Sequence, residues 1–131
     1  MRGYSPSVHE TGTIRKKWTG RLPVALLFPN VYRLGMSNLG MQLVYRLVNE
    51  HPAIVCERIF LPEGAAAPRS IESSRPVSDF PVILCALSFE QDYVNLIRLV
   101  VKGGIAPLAA ARDSAGEIEP GNPLVIAGGV A

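Results

Sequence analysis

The run GMSNLG, Gly35 to Gly40, joins an apolar stretch to a helical one, where α/β proteins usually hold a ligand. A phosphate loop would continue with Lys and Ser/Thr, but Met41 and Gln42 follow, so the nucleoside-triphosphate reading fails. A dinucleotide fingerprint needs glycine where Ser37 stands; Glu63 supplies an acid after the second strand, but the glycine spacing is wrong. Without a ligand, Gly35 permits a tight turn, Ser37 or Asn38 caps the following helix, and Gly40 lets helix and strand approach closely. Ser88 ends another apolar run and precedes Glu90, Gln91 and Asp92, which hydrogen-bond a ligand amide or simply suit a helix N-terminus. Gly128-Gly129 closes a last apolar run as a backbone approach to a ligand or as a turn. Tyr32 and Arg33 meet an anion, a neighbouring domain, or only solvent. Cys56 and Cys85 lie in apolar runs and read as small buried hydrophobes, since two distant thiols are too few for a metal site. No nucleophile is paired with a base.

These residues need a scaffold, and the hydrophobic pattern supplies one. Leu22 to Phe28 is a continuous apolar run, expected of a parallel strand buried on both faces. From Leu39, the residues Leu43, Val44, Leu47 and Val48 form the apolar stripe of a helix that stops before Pro52. Ala53 to Leu61 is a second strand, placed nearer the sheet edge because Glu57-Arg58 suggests exposure. Pro62 to Ser78 is a loop carrying a short helix around Arg69 to Ser73. Pro81 to Ser88 is a third strand. Asp92 then caps a helix striped by Tyr93, Leu96, Ile97, Val100 and Val101 and ended by Gly103-Gly104. After the polar loop Asp113 to Asn122, Leu124 to Ala127 makes a fourth strand. This order predicts a Rossmann-like, flavodoxin-like α/β domain over residues 22–131, with a parallel sheet, flanking helices and its ligand edge at the carboxyl ends of the strands. Residues 1–21 read as an N-terminal tail, and the sheet as truncated after the fourth strand.

A chain of 131 residues suffices for one domain with a core. Apolar residues make up 48% and charged ones 18%, which excludes general disorder and suggests doubly buried strands or a surface meeting another domain. The net charge of +2, with basic residues clustered only at Arg15, Lys16 and Lys17, forms no nucleic-acid stripe. With no apolar leader and no run of ~18 apolar residues, neither secretion nor membrane spanning is expected, and the cytoplasm is the expected compartment.

The segments PNVYRLGMSNLGMQLVYRLVNE, CERIFLPEG, SDFPVILCALSFEQDYVNLIRLV and PLVIAGGVA together resemble the N-terminal cobalamin-binding-like domain of a family of radical S-adenosylmethionine proteins. The resemblance implies a downstream barrel in the same chain, whose CxxxCxxC motif holds an iron-sulfur cluster and S-adenosylmethionine; that motif is not in this sequence, so the radical chemistry is expected outside it. Cobalamin domains of this kind carry DxHxxG after the first strand, SxL after the third and GG after the fourth. Here Gly128-Gly129 matches GG, and Ser88 matches the serine, but Phe89-Glu90 departs from SxL. SNLG keeps the final glycine and lacks the histidine. His9 in the tail and His51 at the far end of the first helix are not placed to ligate cobalt, so the resemblance implies a corrinoid held without a protein histidine, with the Met36 thioether against its lower face or merely packed. The cofactor-binding positions it implies are Gly35, Met36, Ser37, Asn38, Gly40, Ser88, Phe89, Glu90, Gly128 and Gly129, with no catalytic or metal-ligating residue among them.

Two departures from the motif sustain an alternative: a degenerate scaffold that has lost the cofactor and positions substrate or the barrel. A receiver-like signalling module would gather acids after the first strand, where Asn30 stands alone. The expected partners are therefore the downstream barrel and no nucleic acid or membrane. The all-apolar Leu124 to Ala127 further suggests that the chain self-associates through surface another region would cover.

Overall fold

The computed structural model describes residues 12–62, 64, 66–88, 90–107, 112 and 117–129. Four strands, β1 (Leu22–Phe28), β2 (Ile54–Phe60), β3 (Val82–Leu87) and β4 (Leu124–Gly129), form one all-parallel sheet in the order β2-β1-β3-β4. Three helices accompany it: α1 (Tyr32–Met36), α2 (Leu39–Glu50) and α3 (Gln91–Lys102). The α/β architecture is the one expected. The five-residue α1 is additional, and its Gly35 obscures any helical signal in the sequence.

β1 occupies the interior of the sheet, and every residue from Val24 to Phe28 is buried. Alternation divides that strand between two cores. Leu26 and Phe28 join Met41, Tyr45, Cys56 and Phe60 beneath α2. Ala25 and Leu27 join Ile59, Phe80, Ile83, Leu99 and Val100 beneath α3. The chain reaches β2 on one side of β1 and β4 on the other side of β3, so the direction of winding reverses between β1 and β3. That reversal places the loops after β1 and β3 side by side at the carboxyl edge.

The helical stripes differ from expectation. On α2 the sheet takes Met41, Tyr45 and Asn49, whereas Leu39, Leu43, Val44 and Leu47 are exposed. On α3 it takes Asp92, Leu99 and Val100, whereas Tyr93, Ile97 and Val101 are exposed. In both helices the apolar arc is wider than one sheet contact, and the sheet engages one flank of it. α3 ends at Gly103-Gly104, where Gly104 takes the left-handed φ of +76°.

β2 is an edge strand, as expected, but Glu57 and Arg58 are 1% and 3% exposed. A hairpin with antiparallel bridges Ile59↔Ser70 and Arg69↔Pro76 lies against β2, and residues 71–73 are its turn; the short helix here is instead a 3-10 turn at Val77–Asp79. The hairpin supplies the partners that burial of two charges demands. Glu72 accepts from the Arg58 backbone N–H at 2.9 Å and from Arg58 Nε at 2.6 Å, and the guanidinium lies 4.2 Å from the Tyr45 ring centroid. Glu57 accepts from Ser70 Oγ at 2.6 Å, Ser73 Oγ at 2.5 Å and Trp18 Nε1 at 2.9 Å. Within the stretch assigned to the tail, Trp18 also packs edge-on against Phe80, and Ile14 N donates to the Tyr45 hydroxyl at 2.8 Å.

Candidate functional site

The loop leaving β1 is shaped by its own polar groups. Asn30 Oδ1 accepts from Val31 N at 2.8 Å, and the Pro29 carbonyl accepts from Asn95 Nδ2 of α3 at 3.1 Å. α1 then packs Gly35 against the aromatic pair Phe28 and Phe60; a Cβ there would lie 2.2 Å from Phe60 Cε1. Gly35 is thus explained by internal packing. Met36 also turns inward, with its Sδ 3.3 Å from Arg58 Nη1. Ser37 is exposed and donates to the Leu34 carbonyl at 2.9 Å.

Asn38, not Ser37, caps α2: its Oδ1 accepts from Met41 N at 2.9 Å. Its Nδ2 donates to Ser88 Oγ at 3.2 Å, linking the loops after β1 and β3 across the reversal of winding. Ser88 N in turn donates to Asp92 Oδ2 at 2.8 Å. Asp92 is wholly buried in the first turn of α3, and Glu90 is the N-cap residue and makes no side-chain cap hydrogen bond. The expected capping role of Asp92 is therefore replaced by a brace on the β3–α3 turn.

Behind this link, on the α2 face of the sheet, lies an open groove of about 540 Å³. Asn38, Gly40 and Val44 form one side, Leu84 and Ala86 the floor, and Ile126 and Gly128 the far side, with Ser88 at the carboxyl end. A Cβ on Gly128 would meet nothing within 4 Å, so the space over that backbone is open. No lining residue carries a charge: Cys85, which also borders it, has a thiol that burial pushes up to about 12. The groove is neutral and largely apolar, with an amide and a hydroxyl at its mouth.

The structure therefore brings Asn38, Gly40, Ser88 and Gly128 together around one groove. Gly35, Met36 and Ser37 lie outside its lining, and so does Glu90, exposed at the N-cap of α3. Gly129 pairs with Leu87 in the sheet. Phe89, Glu63 and His9 lie outside the described residues. His51 caps the far end of α2, where its Nδ1 accepts from Ala53 N at 3.1 Å. Cys56 and Cys85 are free and belong to opposite cores; burial likewise raises the Cys56 thiol to about 12. Among the described residues no group of three His, Cys, Asp or Glu side chains could hold a metal ion, and no helix is long and apolar enough to cross a membrane. Sequence reasoning missed the Glu57, Arg58 and Glu72 cluster, whose only early signal was a charged pair inside an apolar strand. Its contacts tie the β2 edge to the hairpin, to Trp18, to Met36 of α1 and to Tyr45 of α2, all inside the fold, so its work is structural.

Fold and groove define a parallel α/β domain with an open groove at the carboxyl edge where its winding reverses. The chain matches the family described as radical SAM proteins, N-terminal, over residues 40–131, and it belongs to that family. Membership implies a larger radical S-adenosylmethionine parent chain. The matched span includes Gly40, Ser88, Gly128 and Gly129 and begins after Asn38. No curated protein and no solved structure matches the chain.

Proposed function

We propose that this chain is the corrinoid-holding N-terminal domain of a radical S-adenosylmethionine enzyme and that its groove receives the cofactor's nucleotide tail. The observation that carries this reading is the convergence of Asn38, Gly40, Ser88 and Gly128 on a single neutral groove. A flat apolar base suits a floor of Leu84 and Ala86, and the open space over Gly128 admits it to the backbone. Asn38 and Ser88 stand where polar groups of the tail would emerge, with Asp92 fixing the Ser88 turn. His51 is remote from that mouth, so the described residues hold the cofactor by its periphery and give the cobalt no imidazole. When bound, a corrinoid supplies carbon–cobalt chemistry to a neighbouring active site. Titration with hydroxocobalamin tests the assignment: the visible spectrum shifts and the cofactor co-elutes with protein on gel filtration. An unchanged spectrum with no co-elution at saturating cofactor overturns it.

A second reading, a scaffold that has lost the cofactor and positions the catalytic barrel or its substrate, is favoured by the exposed apolar flanks of α2 and α3. Cobalt purifying stoichiometrically with the parent protein contradicts this alternative.

A further inference from the structure

The polar end of the groove has a hydrogen-bonding direction, and a single amide sets it. The Met41 backbone N–H can only donate, so the Asn38 atom it meets at 2.9 Å is the oxygen. The other terminal atom of that side chain, 3.2 Å from Ser88 Oγ, is therefore the amide nitrogen, which also can only donate. Ser88 Oγ accepts that bond, and its own proton meets no acceptor among the described residues.

The acceptors around this mouth are already engaged. Asp92 Oδ2 takes the Ser88 backbone N–H at 2.8 Å, and Asp92 is wholly buried. The Pro29 carbonyl takes Asn95 Nδ2 at 3.1 Å, and Asn38 Oδ1 is held by the first turn of α2. What the mouth offers an occupant is the Ser88 hydroxyl proton, at the end of a lining without charge. Capping alone does not call for an amide at position 38. Aspartate caps a helix as well as asparagine does, and its charge suits the N-terminal dipole better. A carboxylate there, however, would accept from Ser88 and turn the hydroxyl proton away from the groove. Asparagine caps α2 and leaves that proton free for an occupant.

We infer that Asn38 is a positioning residue that makes Ser88 a hydrogen-bond donor, so that the groove selects a tail carrying an acceptor atom, a ring nitrogen or a phosphodiester oxygen, beside its flat base. The inference rests on the corrinoid reading for its ligand and goes beyond it in giving the mouth a polarity. A neutral hydroxyl serves either acceptor without the cost of burying a cation in an apolar lining. A donor on the ligand at the same place would compete with the Asn38 amide for the Ser88 lone pairs.

Equilibrium dialysis on the full-length parent protein tests it, comparing the unaltered chain with Asn38→Asp, Ser88→Ala and the double variant at matched urea midpoints. The probes are hydroxocobalamin and cobinamide, which keeps the corrin ring and lacks the nucleotide tail. Each single variant should weaken cobalamin binding about tenfold and leave cobinamide unchanged, and the double variant should be no weaker than either single one. p-Cresolylcobamide, whose tail keeps the phosphodiester while its ring has no nitrogen, separates the two acceptors. For that probe, a loss in Asn38→Asp equal to the loss for cobalamin assigns the phosphodiester, and no loss assigns the ring nitrogen. Unchanged cobalamin affinity in Asn38→Asp overturns the inference and leaves the corrinoid reading standing. Additive losses in the double variant also overturn it, because position 38 would then act on the ligand by its own charge and not through Ser88. Equal losses for cobinamide place the effect on the corrin ring and overturn it as well. If no corrinoid binds the unaltered protein, the corrinoid reading falls and this inference falls with it.

Discussion

The two edges of this sheet are built by opposite strategies. At β2 the unpaired edge is covered by a hairpin, and two buried charges are met by Glu72, Ser70, Ser73 and Trp18. Edge strands are liabilities that proteins cover or charge, and β2 does both. β4 carries neither device among the described residues: its sequence is Leu-Val-Ile-Ala-Gly-Gly, and Leu124 and Ile126 face outward. The contrast separates an edge covered by its own hairpin from one whose apolar side chains are exposed. All the site residues that converge lie on the β1–β3–β4 side of the sheet, away from the covered edge.

The largest effect that can break this comparison comes from the covered edge. Glu72→Ala strands the Arg58 guanidinium in the interior and is expected to cost about 3–5 kcal/mol, read as a lower urea midpoint. Burial also raises the Glu72 carboxyl above its ordinary range despite Arg58. A loss under 1 kcal/mol would mean that the cluster is not what fastens the hairpin. Two glycines sharpen the contrast further. Gly35→Ala drives a methyl into the Phe60 ring and should cost about 1–3 kcal/mol, whereas Gly128→Ala, with open space beside it, should leave the urea midpoint unchanged.

The two thiols give a pH signature. Cys56 and Cys85 each have a thiol raised from 9.0 to about 12, so the folded state holds more protons than the unfolded state between those values. Stability therefore falls as pH rises through that window, by about 1.4 kcal/mol per pH unit for each thiol. At pH 8 both stay protonated, and iodoacetamide should alkylate them only after denaturation; rapid labelling of native protein contradicts their burial. The smallest effect on folding belongs to the open edge. Ile126→Lys should change stability by no more than about 0.5 kcal/mol. The self-association expected of this chain, read by light scattering against concentration, should be suppressed by the same substitution; equal association in both proteins would place the contact elsewhere, and a monomeric unaltered chain contradicts the expectation.

Much of the fold was legible because its strongest signals are local. The apolar run of β1 and the Pro52 stop after α2 needed no tertiary information. The misreadings share one cause: each depended on a partner distant in sequence. Glu57-Arg58 looked exposed because nothing adjacent announces that Ser70, Ser73 and Glu72 return to meet them. The stripes of α2 and α3 show that a helix is amphipathic without showing which flank of a wide apolar arc the sheet takes. In the site, Ser88 and Gly128 were legible as strand-end residues of suggestive type and Asn38 as one of two candidate helix caps, while the inward roles of Gly35 and Met36 depended on Phe60 and Arg58.

The central claim is that the open edge binds a ligand through the space over Gly128, and equilibrium dialysis of hydroxocobalamin against the parent protein and its Gly128→Val variant tests it most directly. With urea midpoints matched, the account predicts saturable binding at about one cofactor per chain and at least a tenfold weaker affinity in the variant, about 1.4 kcal/mol. Equal affinity in the two proteins, or no saturable binding to either, contradicts it.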